Sequence, residues 1–512
     1  MSVLGSLVYY FGTNFKWAWD LINKSRAVRR WLSKITINNA IGNGPKRPNP
    51  LSLLADYTSW ESLTDRTYTG RHLPPIKRAP AELPDIDRVA RLFAYRDGRW
   101  KRSQKSTLLF SYFAQWFTDG FLRTDRESPL RKKNTSNHEI DLSPLYGLGK
   151  EETDIVRSQE FGRLRSQTIK GEEYPLYLYA DGGVKPEFED LNMFVPEWVA
   201  MPLRATLFAM GGNRANIQIG YVMLNVLFLR EHNRVANTLA EAHPDWDDER
   251  LFQTARNVVI VEVIKLVIEE YINHLSPFHL KLIADPTSFY KEAWYRQNWM
   301  TVEFNLLYRW HSLTPPKISL DGKETAIDVT MFNNGLITAR GLGALIEEAS
   351  TQPCGELGLH NTMDFLIERA EKPSIQQARE AELASFNDYR EMSQLSRLTS
   401  FAQITKDVEL QKELSELYEH DIDRVEFIVG LFAEDNPRNS VTSELMGRMV
   451  AFDAFSQALT NPLLAERVYN ETTFSPEGME IIRSTTSLFD VVHRNIPDTG
   501  KTFKVSLTRL DI

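Results

Sequence analysis

The chain has 512 residues, a net charge of -8, 42% hydrophobic and 25% charged residues, so it carries enough apolar material for a large globular core. This composition excludes a disordered chain, a collagen-like repeat and a polytopic membrane protein, and the acidic balance excludes a protein that coats nucleic acid. Cys354 is the single cysteine, so no internal disulfide can form, which favours a reducing, cytoplasmic location.

The N-terminal segment differs from the rest of the chain. Residues 1–48 carry eight Lys and Arg against one Asp, a charge of +7, whereas residues 49–512 carry -15. Aromatic residues lie between the charges, a mixture typical of amphipathic helices in the interface of an anionic membrane, and no apolar run approaches the roughly 20 residues that span a bilayer. We therefore predict a peripheral membrane-binding segment over 1–48; a helical arm packed on the body is the alternative. A linker over Gly42–Pro50 would join it to one domain over 49–512.

Helix signals dominate residues 49–512. The pattern predicts a helix over 107–122, and another that starts at Asp247 and Asp248 and continues past Tyr271 to a stop at Pro277. A third is predicted over 301–313, because two prolines follow it. Runs that alternate with a period of two are few, so the predicted class is mostly α.

One candidate chemical site lies in the third predicted helix. Tyr308 and His311 are three residues apart and would share one helix face, which places a redox-capable phenol beside a metal-capable imidazole. A buried histidine that is merely hydrogen-bonded is the alternative. The sequence has no zinc signature, Walker loop, dinucleotide fingerprint or nucleophile elbow.

Several longer segments resemble one family. LREHNRVANTLAEAHPDWDDERLFQTARN from Leu229, EFNLLYRWHSL from Glu303, YTSWESLTDRTYTGRHLPP from Tyr57 and SFNDYR from Ser385 resemble the animal haem peroxidase superfamily, in its cyclooxygenase-like and linoleate dioxygenase-like branch of bacterial type. The resemblance implies a single large helical domain around haem b, with N-terminal amphipathic membrane-binding helices. It also implies an oxidoreductase that uses O2 to convert an unsaturated fatty acid into a lipid hydroperoxide. The oligomeric state cannot be predicted from these segments.

The resemblance assigns roles on the proximal side of the haem. His311 matches the axial iron ligand, and Trp310 lies next to it in the cofactor-binding segment. Tyr308 matches the tyrosine that becomes a radical and abstracts hydrogen, and Tyr271 resembles its hydrogen-bond partner. Asn387 falls where some members place an asparagine against the axial imidazole, although a helix-cap or turn role is equally compatible with its position.

On the distal side the chain departs from the family pattern. Gln115 matches the distal glutamine, but Asp119 occupies the position of the distal histidine, and Arg214 resembles the distal arginine that would pair with it. We expect weak peroxidase activity, because a carboxylate beside an arginine is poorly suited to deliver a proton. The alternative for Asp119 is a residual calcium site together with the family pattern Asp141, Ser143, Tyr146 and Gly147.

The substrate channel also differs from the family. Ser456 matches the serine that lines the channel near the radical tyrosine. The family binds the substrate carboxylate at the channel mouth with a tyrosine, a glutamate and an arginine. In this chain their positions fall at Phe278, at Val450 and near Ile41. Lys46 and Arg47 are nearby cations that could substitute for the arginine. The YRWH motif favours a linear hydroperoxide over an endoperoxide. Two other functions remain open: a haem peroxidase of small reductants, and a haem- or lipid-binding protein with reduced catalysis.

Overall fold

The computed structural model describes residues 10–42, 53–55, 57–77, 82–96, 98, 100–125, 127, 131–497 and 500–509. The predicted linker lies almost wholly outside these residues. The described part is mostly helical, as predicted. Its α-helices, in chain order, are α1 Lys16–Ile22, α2 Arg26–Gly42, α3 Trp60–Thr64, α4 Ile86–Arg91, α5 Leu108–Thr118, α6 Ser143–Tyr146, α7 Lys150–Val156, α8 Met201–Arg204, α9 Ile219–Ala242, α10 Asp248–Leu266, α11 Asn273–Leu275, α12 Val302–Leu307, α13 Gly335–Arg340, α14 Leu342–Thr351, α15 Asp364–Leu366, α16 Lys372–Glu380, α17 Phe386–Met392, α18 Val408–Leu417, α19 Phe427–Ala433, α20 Glu444–Leu459, α21 Glu471–Ser484 and α22 Leu488–Asn495.

The strands are short and form antiparallel pairs. They are β1 Arg102–Thr107 with β8 Pro353–Gly355, β2 Gln167–Ile169 with β3 Glu172–Tyr174, β4 Tyr179–Ala180 with β5 Gly183–Val184, and β6 Lys317–Leu320 with β7 Lys323–Ala326. Two π-helical turns, at Val267–Ile272 and Ile367–Glu371, interrupt the α-helical pattern. The pairs are too small to form a sheet layer, so helices build the core.

Helices α5, α9 and α10 form the centre of the core. Helix α9 packs on both of the others, and a Cβ at Gly220 would lie 2.0 Å from the Tyr112 ring, so glycine permits the close approach of α5 and α9. Trp116 on α5 donates a hydrogen bond to Asn225 at 2.8 Å and stacks on Phe228 with ring centroids 4.6 Å apart. The end of α5, which carries the predicted distal residues, is thereby fixed against the longest helix among the described residues.

All three predicted helices have the predicted start, and two end early. Thr107 caps α5, which ends at Thr118, four residues before the predicted Leu122. Asp247 caps α10 by accepting from the Arg250 amide at 2.8 Å, and the helical path continues through the π turn and α11 to Leu275. Thr301 caps α12 by accepting from the Phe304 amide at 3.2 Å, but α12 ends at Leu307. The prediction of a helix to Leu313 is therefore wrong.

The N-terminal arm, residues 10–42, packs on the body along one side. Ser33, Ile37 and Ile41 on α2 are buried, and α2 packs on α20. The opposite side leaves Trp17 and Trp31 exposed at 74% and 62%. None of the helices that the structure describes is long and apolar enough to cross a membrane.

Candidate functional site

Six of the predicted distal and proximal residues line one cavity. It has a volume of about 320 Å³ and lies between the end of α5, the segment before α9 and the chain that follows α12. Its walls contain apolar side chains from Leu108, Leu122, Ile217 and Met331. The predicted site residues that line this first cavity are Gln115, Asp119, Arg214, Tyr308, Trp310 and His311.

Tyr308 and His311 reach the cavity from a bend and not from one continuous helix face. Tyr308 is the C-cap of α12, with φ -99° and ψ 20°, and His311 begins a 3₁₀ turn that ends at Leu313. Pro315 and Pro316 follow closely and cannot continue an α-helix. The His311 side chain is 22% exposed, which leaves part of the imidazole facing the cavity.

The Tyr308 hydroxyl is buried beside that of Tyr271. Neither forms a hydrogen bond of normal geometry, although the two groups are close enough to affect each other: burial, together with Tyr308, raises the pKa of Tyr271. Burial also raises the pKa of Tyr308 well above its usual value, so this phenol keeps its proton at neutral pH. The Trp310 ring lies 4.8 Å from the Tyr308 ring and the Phe304 ring packs edge-on at 5.2 Å, which fixes the phenol.

Asn387 does not contact His311. Its side chain, in the first turn of α17, donates to Asp423 at 2.7 Å and to the Leu398 carbonyl at 3.0 Å, so it joins α17 to two other segments of the chain. The carboxylate of Glu371 lies next to the imidazole instead, with Oε1 3.2 Å from His311 Nδ1. Sequence reasoning missed Glu371, which is 60 positions away and belongs to no recognisable motif.

Asp119 is surrounded by hydrogen-bond donors. Its carboxylate forms an ion pair with Arg214 and with Arg123 at 3.1 Å, and it accepts from the Tyr221 hydroxyl at 2.9 Å. The expected pairing with Arg214 is present, and Arg123 and Tyr221 are additional partners that the sequence did not reveal. Since every partner donates to the carboxylate, the arrangement suits an anchor for α5 better than a proton donor.

The residues of the alternative calcium pattern form hydrogen bonds within the protein. Asp141 accepts from the Ser143 amide at 2.9 Å, and Ser143 Oγ donates to the Gly120 carbonyl at 3.0 Å. The Tyr146 hydroxyl lies 3.0 Å from His232 Nδ1. Within the described ranges, no group of three His, Cys, Asp or Glu side chains is arranged to hold a metal ion.

A second cavity, of about 360 Å³, lies where the arm meets the body. Helix α2 contributes Asn39 and Ala40, α20 contributes Val450, and Phe278 lies between them. The structure therefore brings together the three regions from which the sequence predicted a channel mouth. The walls are mainly apolar, as a site for an acyl chain requires.

Arg448 supplies a cation to the second cavity. It lines the wall next to Glu444, 3.6 Å away, and donates to the Ser393 carbonyl at 3.1 Å. Lys46 and Arg47, the substitutes expected from the sequence, lie outside the described residues. Arg448 and Ser456 lie on the same helix, α20. The motif around Ser456 could therefore have directed attention to Arg448 in the sequence.

Ser456 lines neither cavity. It is half-buried, and its hydroxyl donates to the Asp453 carbonyl of the same helix at 3.0 Å. The neighbouring Phe455 and Phe452 face the second cavity in its place.

Comparison with known proteins decides the family. The model of the animal haem peroxidase family matches residues 115–506. The chain belongs to the animal haem peroxidase family. Prostaglandin G/H synthase 2 of Bos taurus is 32% identical over 501 residues, which cover 96% of this chain and 80% of that protein. Prostaglandin G/H synthase 1 of Rattus norvegicus is 32% identical over 500 residues, with 96% and 81% covered.

Solved structures of related fold include plant and amoebal proteins. The fatty acid alpha-dioxygenase of Arabidopsis thaliana superposes with a TM-score of 0.71 at 18% identity, covering 94% of this chain and 88% of that one. A variant of the Oryza sativa fatty acid alpha-dioxygenase with palmitic acid gives 0.69 at 18% identity, with 100% and 98% covered. Peroxidase A from Dictyostelium discoideum gives 0.67 at 19% identity, with 92% and 99% covered. At these identities the likeness shows the shared fold.

This animal haem peroxidase family member has a first cavity that fits a haem. Family membership implies haem binding, and the cavity combines the partly exposed imidazole of His311 with aromatic and aliphatic side chains that lie among polar ones. Its volume of about 320 Å³ lies within the range of natural cofactor sites. His311 would hold the iron, and Trp310 and Leu108 would contact the macrocycle.

Proposed function

We propose that this protein is a haem-dependent fatty-acid dioxygenase that uses Tyr308 to abstract hydrogen from an unsaturated fatty acid and forms a lipid hydroperoxide with O2. One observation carries the proposal. Tyr308 lines the first cavity and its hydroxyl is close to Tyr271, which lies in the same π turn as Ile272, a wall residue of the second cavity. Neither tyrosine lines the second cavity, but Tyr271 directly precedes one of its wall residues, so the pair lies near both the proposed haem cavity and the apolar cavity.

The bound haem supplies the one-electron oxidation of the phenol. Tyr308 then loses an electron and its proton, and its oxygen takes a hydrogen atom from a bis-allylic carbon. The carbon radical adds O2, and the resulting peroxyl group takes the hydrogen atom back from Tyr308, which regenerates the radical. Fatty acid and O2 are consumed one to one, and the surrounding aromatic rings hold the phenol in place and exclude water.

The second cavity is the proposed site of the acyl chain. Its apolar walls would bury the hydrocarbon, and Arg448 would bind the carboxylate at the end near α2. This arrangement differs from the expected clamp at Phe278, Val450 and Ile41, because the cation comes from α20. The position of the cavity beside the N-terminal arm suits a substrate that enters from a membrane surface.

The donor-rich surroundings of Asp119 favour a second feature, low peroxidase activity. Its carboxylate oxygens already accept from Tyr221 and pair with Arg214 and Arg123. They are therefore poorly placed to transfer a proton to or from a peroxide. Oxygenation of a lipid should therefore exceed oxidation of small reductants. A haem- or lipid-binding protein with reduced catalysis is the function that remains if oxygenation is absent.

The test is oxygen uptake by the haem-reconstituted protein with linoleate, with oleate as the substrate that lacks a bis-allylic carbon. We expect uptake with linoleate and a hydroperoxide identified by mass spectrometry. Tyr308→Phe should reduce uptake at least about 100-fold while the Soret band is retained. Tyr418→Phe, a buried tyrosine outside both cavities, is the matched control. Oxygenation that persists in Tyr308→Phe contradicts the radical assignment.

A further inference from the structure

The proximal imidazole has a carboxylate neighbour of unusual character. Glu371 is 1% exposed, and its Oε1 lies 3.2 Å from His311 Nδ1. The two atoms are within ion-pair distance but lack the alignment of a full hydrogen bond.

Nothing in the described structure neutralises this carboxylate. No Lys or Arg of the described ranges forms an ion pair with Glu371, Thr362 Oγ1 donates to Oε1 at 2.8 Å, and Oε2 has no hydrogen-bond partner. A buried carboxylate without a cation is costly. Oε1, the oxygen beside His311, accepts from Thr362 and keeps a further lone pair for the Nδ1–H of the imidazole.

The backbone explains why Glu371 points inward. It is the last residue of the π turn Ile367–Glu371, immediately before α16. Such turns are rare in proteins, and those that occur are frequently found at functional sites. One extra residue in the turn rotates the following side chains relative to a regular helix, so Glu371 faces the interior.

We propose that Glu371 is the positioning residue of the haem ligand His311: it accepts from Nδ1–H, directs Nε2 to the iron and brings a negative charge to the proximal side of the haem. Metal-ligating histidines donate their other N–H to a neighbouring acceptor, which fixes the tautomer and raises the basicity of the ligand. The anionic partner strengthens electron donation by the imidazole and favours the oxidised iron. The role follows from geometry and replaces the one expected for Asn387.

The inference rests on His311 as the axial ligand and not on lipid oxygenation, so the test needs no fatty acid. Glu371→Gln keeps the size of the side chain and removes its charge. We expect haem affinity to fall about 10- to 100-fold. We also expect the iron–histidine stretching band of the ferrous protein to move to lower frequency, and the reduction potential of the haem to rise.

Three further variants separate the possible outcomes. Glu303→Gln, another fully buried glutamate with one unpartnered oxygen, should leave the iron–histidine band and the potential unchanged. Thr362→Val removes a competing donor from Oε1 and so makes the carboxylate a stronger acceptor for Nδ1–H; it should shift both by a smaller amount in the direction opposite to Glu371→Gln, and it serves if Glu371→Gln does not fold. His311→Ala should lose the band altogether.

An unchanged band and potential in haem-bound Glu371→Gln, or in Thr362→Val where the first variant does not fold, would overturn the proposal and leave Glu371 a structural carboxylate. Haem affinity that is unaffected in His311→Ala would instead contradict the axial assignment. Neither result depends on whether linoleate is oxygenated, so failure of the proposed dioxygenase function is recognised separately by the oxygen-uptake test.

Discussion

At the scale of single residues, the two sides of the first cavity have different chemistry. The proximal side carries an imidazole with a carboxylate behind it, whereas the distal side carries a carboxylate held by Arg214, Arg123 and Tyr221. A neutral imidazole can bind a metal ion, whereas a carboxylate surrounded by two guanidinium groups and a phenol is used as a hydrogen-bond acceptor. The distal side is thus arranged for structure, and oxidative chemistry depends on the proximal side.

Replacement of Asp119 tests this division. Asp119→His should raise hydrogen peroxide-dependent oxidation of guaiacol about 100-fold, the low end of the contribution of a general acid–base group. Asp119→Asn, which removes the charge without supplying a base, should give no gain. Both variants leave the buried Arg123 without its carboxylate and should lose about 2 kcal/mol of unfolding free energy. Rates are therefore compared at equal Soret absorbance; no gain in the histidine variant contradicts a distal position for residue 119.

Replacement of Arg448 tests the carboxylate site. Arg448→Gln should raise KM for linoleate about tenfold or more, because a charge-assisted hydrogen bond contributes about 1.5 to 3 kcal/mol, and should leave KM for methyl linoleate unchanged. Arg483→Gln, an exposed arginine outside both cavities, is the matched control. Equal increases for the acid and the ester would show that Arg448 acts on the shape of the cavity and not on the carboxylate.

At the scale of elements, irregular helix segments place the decisive side chains. Tyr271 and Glu371 both lie in π turns, and Tyr308 and His311 follow the early end of α12. A regular helix would direct these side chains by its 3.6-residue period, and the extra residue or the bend changes that direction. The two π turns and the early end of α12 are thus departures from regularity that occur at site residues.

The N-terminal arm carries a prediction at the same scale. The double variant Trp17→Ser, Trp31→Ser should bind vesicles of phosphatidylcholine and phosphatidylglycerol more than tenfold more weakly. The reason is that burial of each exposed indole in the lipid would contribute about 1.5 to 3 kcal/mol to the free energy of binding. Added salt should weaken binding by the wild type, because the basic side chains meet anionic lipid. Vesicle cosedimentation measures both effects.

Trp198→Ser is the control for the arm, since Trp198 is 57% exposed on a different segment. It should bind vesicles as the wild type does. Equal binding by the double variant and the wild type would favour the alternative, an arm that only packs on the body through Ile37 and Ile41.

At the scale of the whole molecule, the haem cavity couples binding to folding. Segments from residue 108 to residue 366 meet at its walls, so a bound haem would tie together parts of the chain that are far apart in sequence. Haem present at 100 times its Kd should raise the free energy of unfolding by about 2.7 kcal/mol. Urea unfolding of the haem-free and haem-bound protein measures this difference. His311→Ala should lose most of it, and an equal gain in that variant would place the haem elsewhere.

Much of the fold was predictable because its signals are local. The caps Thr107, Asp247 and Thr301 sit at the predicted helix starts, and the burial of α10 follows from its apolar circumference. The end of α12 was not predictable, since the stop signal at Pro315 and Pro316 lies eight and nine positions beyond Leu307 and no proline or glycine intervenes. Local sequence signals determine where a helix begins, whereas the residue at which it ends depends also on tertiary packing.

The sequence by itself determined the class of the protein, its family and six of the residues that line the first cavity, because ordered motifs such as EFNLLYRWHSL carry them along the chain. Only the tertiary structure decided the partners of those residues. Glu371 beside His311, Arg123 and Tyr221 on Asp119, and Arg448 at the second cavity come from elements that are distant in sequence or from faces that no motif marks. The physical reason is that charge pairing and burial depend on distances in space, which a pattern along one chain does not contain.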